Sequence, residues 1–144
     1  MIDYDKLKKS LMHLEKQYNN YQSMDKRDNL SELDKEGISE SVVQRFETCY
    51  DTLWKHLKKY LEEELGIPDV PSSPKPVLRL AHNNGIIENI ENWIDYANAR
   101  VGTAHDYSEE KFKNALKKTG DFIQDVILAY ELMTNETWVK NKNK

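Results

Sequence analysis

The sequence predicts an all-α protein, an up-and-down bundle of four to five helices. Three observations carry that reading. Apolar residues recur every three or four positions through the long segments, and no segment alternates apolar and polar residues as a half-buried strand would. The stripes are separated by clusters of Gly, Pro and Asn, which end helices. With 144 residues, 38% hydrophobic and 32% charged, the chain fits one domain large enough to bury a real core beneath a very polar surface.

In the first helix Leu7, Leu11, Leu14, Tyr18 and Tyr21 form one apolar face after Asp3, an N-cap candidate, and the helix is expected to end near Met24. The stretch "MDKRDNLSELDKEG" is charged and has no sustained stripe. It reads as a connection with a short turn of helix around Leu30 and Leu33, closed by Gly37. From Ser39 a long helix carries Val42, Val43, Phe46, Cys49, Tyr50, Leu53, Trp54, Leu57, Leu61 and Leu65 on one side, with Gly66 at its C′ position. The connector "GIPDVPSSPKP" places Ser73 to cap and Pro74 at a first helical position, and a short helix follows from about Pro76 through Ala81 to "HNNG". The fourth helix turns Ile87, Ile90, Trp93, Ile94 and Ala97 inward and reaches Arg100. The fifth starts at the capping residue Ser108 and keeps a core face from Phe112 to about Met133. Residues 1–136 are expected to form the bundle and 137–144 a polar, disordered tail.

Several function classes are excluded at this level. No apolar run approaches the roughly 20 residues of a membrane span, and nothing near the N-terminus resembles a secretory signal, so a cytoplasmic protein is expected. The single Cys49 allows no internal disulfide and falls in the apolar stripe. His13, His56 and His82 stand singly, so neither a metal site nor a cofactor is expected. A net charge of −4 argues against indiscriminate phosphate binding. The lysine clusters "KHLKK" and "KFKNALKK" read as solvated faces, the second on the helix that begins at the joint "NARVGTAHDYSEE". Glycine-rich phosphate loops and Asp-x-Asp pairs do not occur.

That joint holds the remaining chemistry. Arg100, His105 and Tyr107 crowd around Gly102. On an unbroken helix, positions five apart point about 140° from each other, so a shared site requires a break, and Gly102 is the residue that accepts one. The "GTA" segment would then turn His105 back toward Arg100 and leave Tyr107 beside Ser108 at the positive start of the last helix. Arginine presents a fork of donors matched to phosphate, and histidine titrates near neutrality, so the pair can hold a phosphodiester and move protons at it. A helix-end arginine beside a loop histidine is also a common accident of sequence.

Arg100, four residues, His105, one residue and Tyr107, between the last two helices of a small bundle, resembles the HEPN family. The resemblance is to its branch of nucleotidyltransferase substrate-binding proteins. "SPKPVLRLAHNNGII", "NWIDYANARVGTAHDYSEE" and the aromatic-rich "VVQRFETCYDTLWKHLKKYL" extend the likeness from about Leu7 to Met133. The resemblance implies a homodimer in which Arg100 and His105 of both chains form a metal-independent, RNA-cleaving site. It also implies a partner, a minimal nucleotidyltransferase acting as antitoxin, which neutralises the toxin by transferring AMP to Tyr107. Active members carry a polar residue directly after the arginine, whereas Val101 stands here. That departure favours the alternative of a non-catalytic subunit that docks the transferase or a nucleotide.

Overall fold

The first apolar stripe forms α1 (Asp5–Ser23), which buries Leu7, Leu11 and Leu14. The N-cap is Tyr4 and not Asp3 as expected, and it has no side-chain cap; Asp3, one residue earlier, instead accepts from the Asp5 N–H at 2.9 Å. The computed structural model describes residues 1–105 and 108–139, and the backbone alone for His105. Among the described residues the chain continues as α2 (Glu32–Lys59), α3 (Pro74–Asn83), α4 (Ile90–His105) and α5 (Glu109–Thr134), with no strand.

The second helix starts earlier than its apolar stripe. Ser31 and Asp34 form a capping box, in which the Ser31 hydroxyl accepts from the Asp34 N–H and the Asp34 carboxylate accepts from the Ser31 N–H, each at 3.0 Å. Two otherwise orphaned donors are satisfied there, so helix propagates through Gly37 instead of stopping at it. At the far end α2 widens into a π-helical turn over Tyr60–Glu64 and stops at Gly66 in the left-handed conformation (φ 65°), where the Ile67 N–H returns to the Leu61 carbonyl at 3.0 Å. The third helix begins at Pro74, the first helical position expected after Ser73, and ends on Gly85 (φ 74°) by the same kind of closure, Ile86 N–H to Ala81 carbonyl at 3.0 Å.

Pairings between helices fix the directions of the long ones. His56 of α2 meets Asp3 before α1, and Cys49 lies near Ser10, so the two helices run oppositely. Gly102 faces Lys111, and Asp95 faces Lys118, which makes α4 and α5 antiparallel as well. With Tyr18 against Gly120 and Tyr130 near Asp5, α5 also opposes α1. The result is the expected up-and-down bundle, with the short α3 packed on α2 and α4.

Its centre is aromatic. Phe122 of α5 stands edge-on to Phe46 of α2, with ring centroids 4.8 Å apart, and to Tyr96 of α4 at 5.2 Å; Trp93 closes the group at 6.1 Å from Phe122. Cys49 is fully buried, and burial pushes its thiol up to about 12, so it is a core residue without nucleophilic character. His56 is also buried, with its ring nitrogens at 2.8 and 3.1 Å from the Thr52 and Asp3 carbonyls.

The C-terminal expectation requires correction. Trp138 is 8% exposed, stacks edge-on against Tyr130 and donates its indole N–H to the buried Glu15 at 3.2 Å. A tryptophan can bury a large apolar area only if its N–H finds an acceptor, and Glu15 on α1 supplies one. The core therefore extends past the boundary expected at residue 136.

Candidate active site

Arg100 sits in the last turns of α4, on the side that faces α2. Its guanidinium is gripped by two carboxylates one helical turn apart on α2. Nε and one terminal nitrogen donate to the two oxygens of Asp51 at 3.2 and 3.0 Å, a bidentate fork, and the other terminal nitrogen donates to Glu47 at 3.0 Å. The Thr103 hydroxyl, buried, also donates to Glu47 at 2.7 Å. Glu47 is the more enclosed anchor, with 15% of its side chain exposed against 40% for Asp51. The guanidinium is thus fixed in place and locally outnumbered by negative charge, so long-range attraction for an anion must come from other cations.

Lysines of α5 stand on a neighbouring face, one of them, Lys113, paired with Glu109 at 2.9 Å. Lys111, Lys113 and Lys117 line a groove of about 400 Å³ with Asn98 and Gly102 of α4, and all three are exposed. The fifth helix starts as its sequence requires, the Ser108 hydroxyl accepting from the Lys111 N–H at 3.3 Å with Glu109 and Glu110 in the first turn.

Gly102 does not break the helix. α4 continues through it to His105, and the positive-φ glycines among the described residues are Gly66 and Gly85. Two flanking anchors, Arg100 and Thr103, tie this turn to Glu47, and such tertiary ties outweigh the roughly 1 kcal/mol that glycine costs in a helix interior. Positions 100 and 105 therefore stand about 140° apart around one continuous axis, and the turn-back that would have joined them within one chain is absent. The His105 side chain and Tyr107 lie outside the described residues. A Cβ on Gly102 would meet the Lys111 side chain at 3.6 Å, an ordinary contact. Gly102→Ala should consequently raise stability, by about 0.5–1 kcal/mol from helix propensity. A chemical denaturation midpoint that falls instead would mean that a break at this glycine is needed.

Sequence reasoning missed Glu47 and Asp51. They are 53 and 49 residues from Arg100, and their only local signal is a spacing of four that places two acids on one edge of α2. Among the described residues no three His, Cys, Asp or Glu side chains come together to hold a metal ion, and no helix is long and apolar enough to cross a membrane.

Comparison with known proteins gives the family of this helical bundle, whose penultimate helix carries the acid-clamped arginine near its end. The chain belongs to the family described as nucleotidyltransferase substrate binding protein like, whose model matches residues 2–135. It is 29% identical over 84 residues to a Haemophilus influenzae protein named Probable ribonuclease HepT, an alignment that spans 57% of this chain and 58% of that relative's length. Two solved structures share the fold. One, from Haemophilus influenzae, is described as a substrate binding domain of a nucleotidyltransferase; it matches with a TM-score of 0.81 at 22% identity, over 91% of this chain and 98% of the other. A protein from Thermus thermophilus matches with a TM-score of 0.64 at 23% identity, over 84% of this chain and 98% of its own.

Proposed function

We propose that this chain is the toxin of a toxin–antitoxin pair, a metal-independent ribonuclease whose homodimer assembles Arg100 and His105 of both chains into one RNA-cleaving site. The observation that carries this reading is the pre-set guanidinium of Arg100, held by Glu47 and Asp51 in a chain similar to a protein named a probable ribonuclease. The continuous α4 supports the dimer. One chain turns positions 100 and 105 to different sides of a helix, so an arginine and a histidine acting on one phosphate are more readily supplied by two chains than by one. In the reaction His105 takes the proton of the 2′-hydroxyl. The 2′-oxygen then attacks phosphorus while the P–O5′ bond breaks and the departing 5′-oxygen takes a proton from water, and Arg100 stabilises the charge that accumulates on the phosphoryl oxygens.

A minimal nucleotidyltransferase is the proposed partner, and Tyr107 the AMP acceptor. Two other tyrosines of the last helices are poor acceptors: Tyr96 is 1% exposed and donates its hydroxyl to Asp125, and Tyr130 is 2% exposed. AMP on Tyr107 would add a bulky anion close to the end of α4 and exclude an RNA phosphate. Incubation with ATP, magnesium and the transferase encoded beside this chain should add one AMP to Tyr107, abolish growth inhibition, and fail with Tyr107→Phe. Peptide mass spectrometry that finds the AMP on another residue would reject the assignment.

The alternative, a non-catalytic subunit that docks the transferase, has one observation in its favour. Val101 is 50% exposed at the site, where the resemblance leads one to expect a polar residue. Absence of toxicity, together with stable binding to the transferase, would select it.

A further inference from the structure

Beside the arginine clamp, on the α3 side, lies a cavity of about 510 Å³. That volume falls in the range of small-molecule sites, about 300–1,000 Å³. Pro74, Pro76, Val101 and Ala104 give it flat, apolar walls. Its polar groups are gathered at one edge. Tyr50 also forms part of the wall, and its hydroxyl, which no described residue holds in a hydrogen bond, is not among the polar atoms sealed off from solvent without a partner. Burial and the neighbouring Asp51 both push the Tyr50 hydroxyl upward in pKa, so at neutral pH it keeps its proton and can donate.

Asp51 adds acceptors to the same edge. A carboxylate offers about four lone-pair sites, and Arg100 takes one on each oxygen. The remaining sites suit N–H donors and repel anions. Across the mouth, Lys75 is exposed and held by one hydrogen bond to Asn98 at 2.7 Å, which leaves its ammonium with donors for a phosphate.

We propose that this cavity binds a nucleoside monophosphate unit, with the base between the proline and α4 walls, its exocyclic amino group on Asp51, an acceptor atom on the Tyr50 hydroxyl, and the phosphate at Lys75. Adenine, guanine and cytosine carry the required amino group, whereas uracil offers only an N3–H flanked by two carbonyl oxygens that a carboxylate repels, so the site disfavours uracil. The unit could be a free nucleotide or one residue of an RNA chain. The choice of RNA as one source rests on the ribonuclease reading, but the recognition chemistry does not.

Isothermal titration of the full chain tests this, with AMP, UMP and a 2′-O-methyl adenosine tetranucleotide as probes, the last being resistant to cleavage by 2′-hydroxyl attack. AMP should bind at least about tenfold more tightly than UMP, because uracil can meet the Asp51 carboxylate only with an N3–H flanked by two repelling carbonyl oxygens. Ala104→Phe, at an exposed wall position, should weaken AMP by about tenfold or more at unchanged melting temperature, and Tyr50→Phe by a smaller factor. If RNA is the source, the tetranucleotide binds more tightly than AMP and displaces it; if a free nucleotide is, AMP binds and the tetranucleotide does not compete. Equal affinity for AMP and UMP, or binding unaffected by Ala104→Phe, overturns the proposal. So does a dimer that binds no AMP and is weakened by Ala104→Phe, which would mean that a second copy covers the cavity. RNA cleavage without AMP binding would reject this site alone; AMP binding without cleavage would reject only the ribonuclease reading.

Discussion

Arg100→Ala is expected to reduce RNA cleavage by about 10²–10³, the usual loss when one donor that stabilises developing transition-state charge is removed. The same substitution strips the cation from Glu47 and Asp51, which then face each other with no guanidinium between them. Glu47 is largely enclosed, so some stability is lost as well. Arg100→Lys separates the two effects. A lysine keeps the positive charge between the carboxylates but cannot reproduce the bidentate fork to Asp51. Its melting temperature should stay near that of the unaltered protein while cleavage falls nearly as far as in Arg100→Ala. Full cleavage by Arg100→Lys would mean that a diffuse positive charge suffices and that the clamp geometry has no role in the chemistry.

Phe122→Ala should be the most damaging substitution for the fold. Its ring touches Phe46, Tyr50, Trp93 and Tyr96, so one side chain joins α2, α4 and α5. Truncating a buried phenylalanine costs about 3–5 kcal/mol through lost transfer energy and the cavity left behind. For a domain of this size that corresponds to a fall of roughly 10–17 °C in melting temperature. A loss below about 1 kcal/mol by thermal melting would show that the aromatic group is not the bundle's keystone. Because α4 bears both Arg100 and two members of this cluster, Trp93 and Tyr96, the packing also sets where the site's arginine stands.

The helices were legible wherever burial imposes a period. Leu7, Leu11 and Leu14, the run from Val42 to Leu61, and Phe122 through Met133 announce their faces because each must meet a neighbouring helix. Chain stops were legible at Gly66 and Gly85, where the backbone takes a left-handed turn. Gly37 and Gly102 misled because glycine permits a break without requiring one; a capping box upstream of the first, and the ties to Glu47 around the second, decide for helix. The capping box Ser31–Asp34 was itself readable but lay in a segment without an apolar stripe. Trp138 carried a signal too, a lone large aromatic in a polar segment, but its partner Glu15 is 123 residues away. The acid clamp was hidden for the same reason. Arg100 was visible as chemistry, whereas the residues that hold it are brought to it only by the fold.

The nature of the cleaved RNA ends tests the central claim most directly. Purified protein, incubated with a defined RNA in the presence of EDTA, should leave a 2′,3′-cyclic phosphate on one fragment and a 5′-hydroxyl on the other, as attack by the 2′-oxygen demands. His105→Ala, prepared identically and equally folded, should leave the RNA intact. Fragments ending in 3′-hydroxyl and 5′-phosphate, cleavage that needs added magnesium, or cleavage that persists in His105→Ala would each contradict a metal-independent site built from Arg100 and His105.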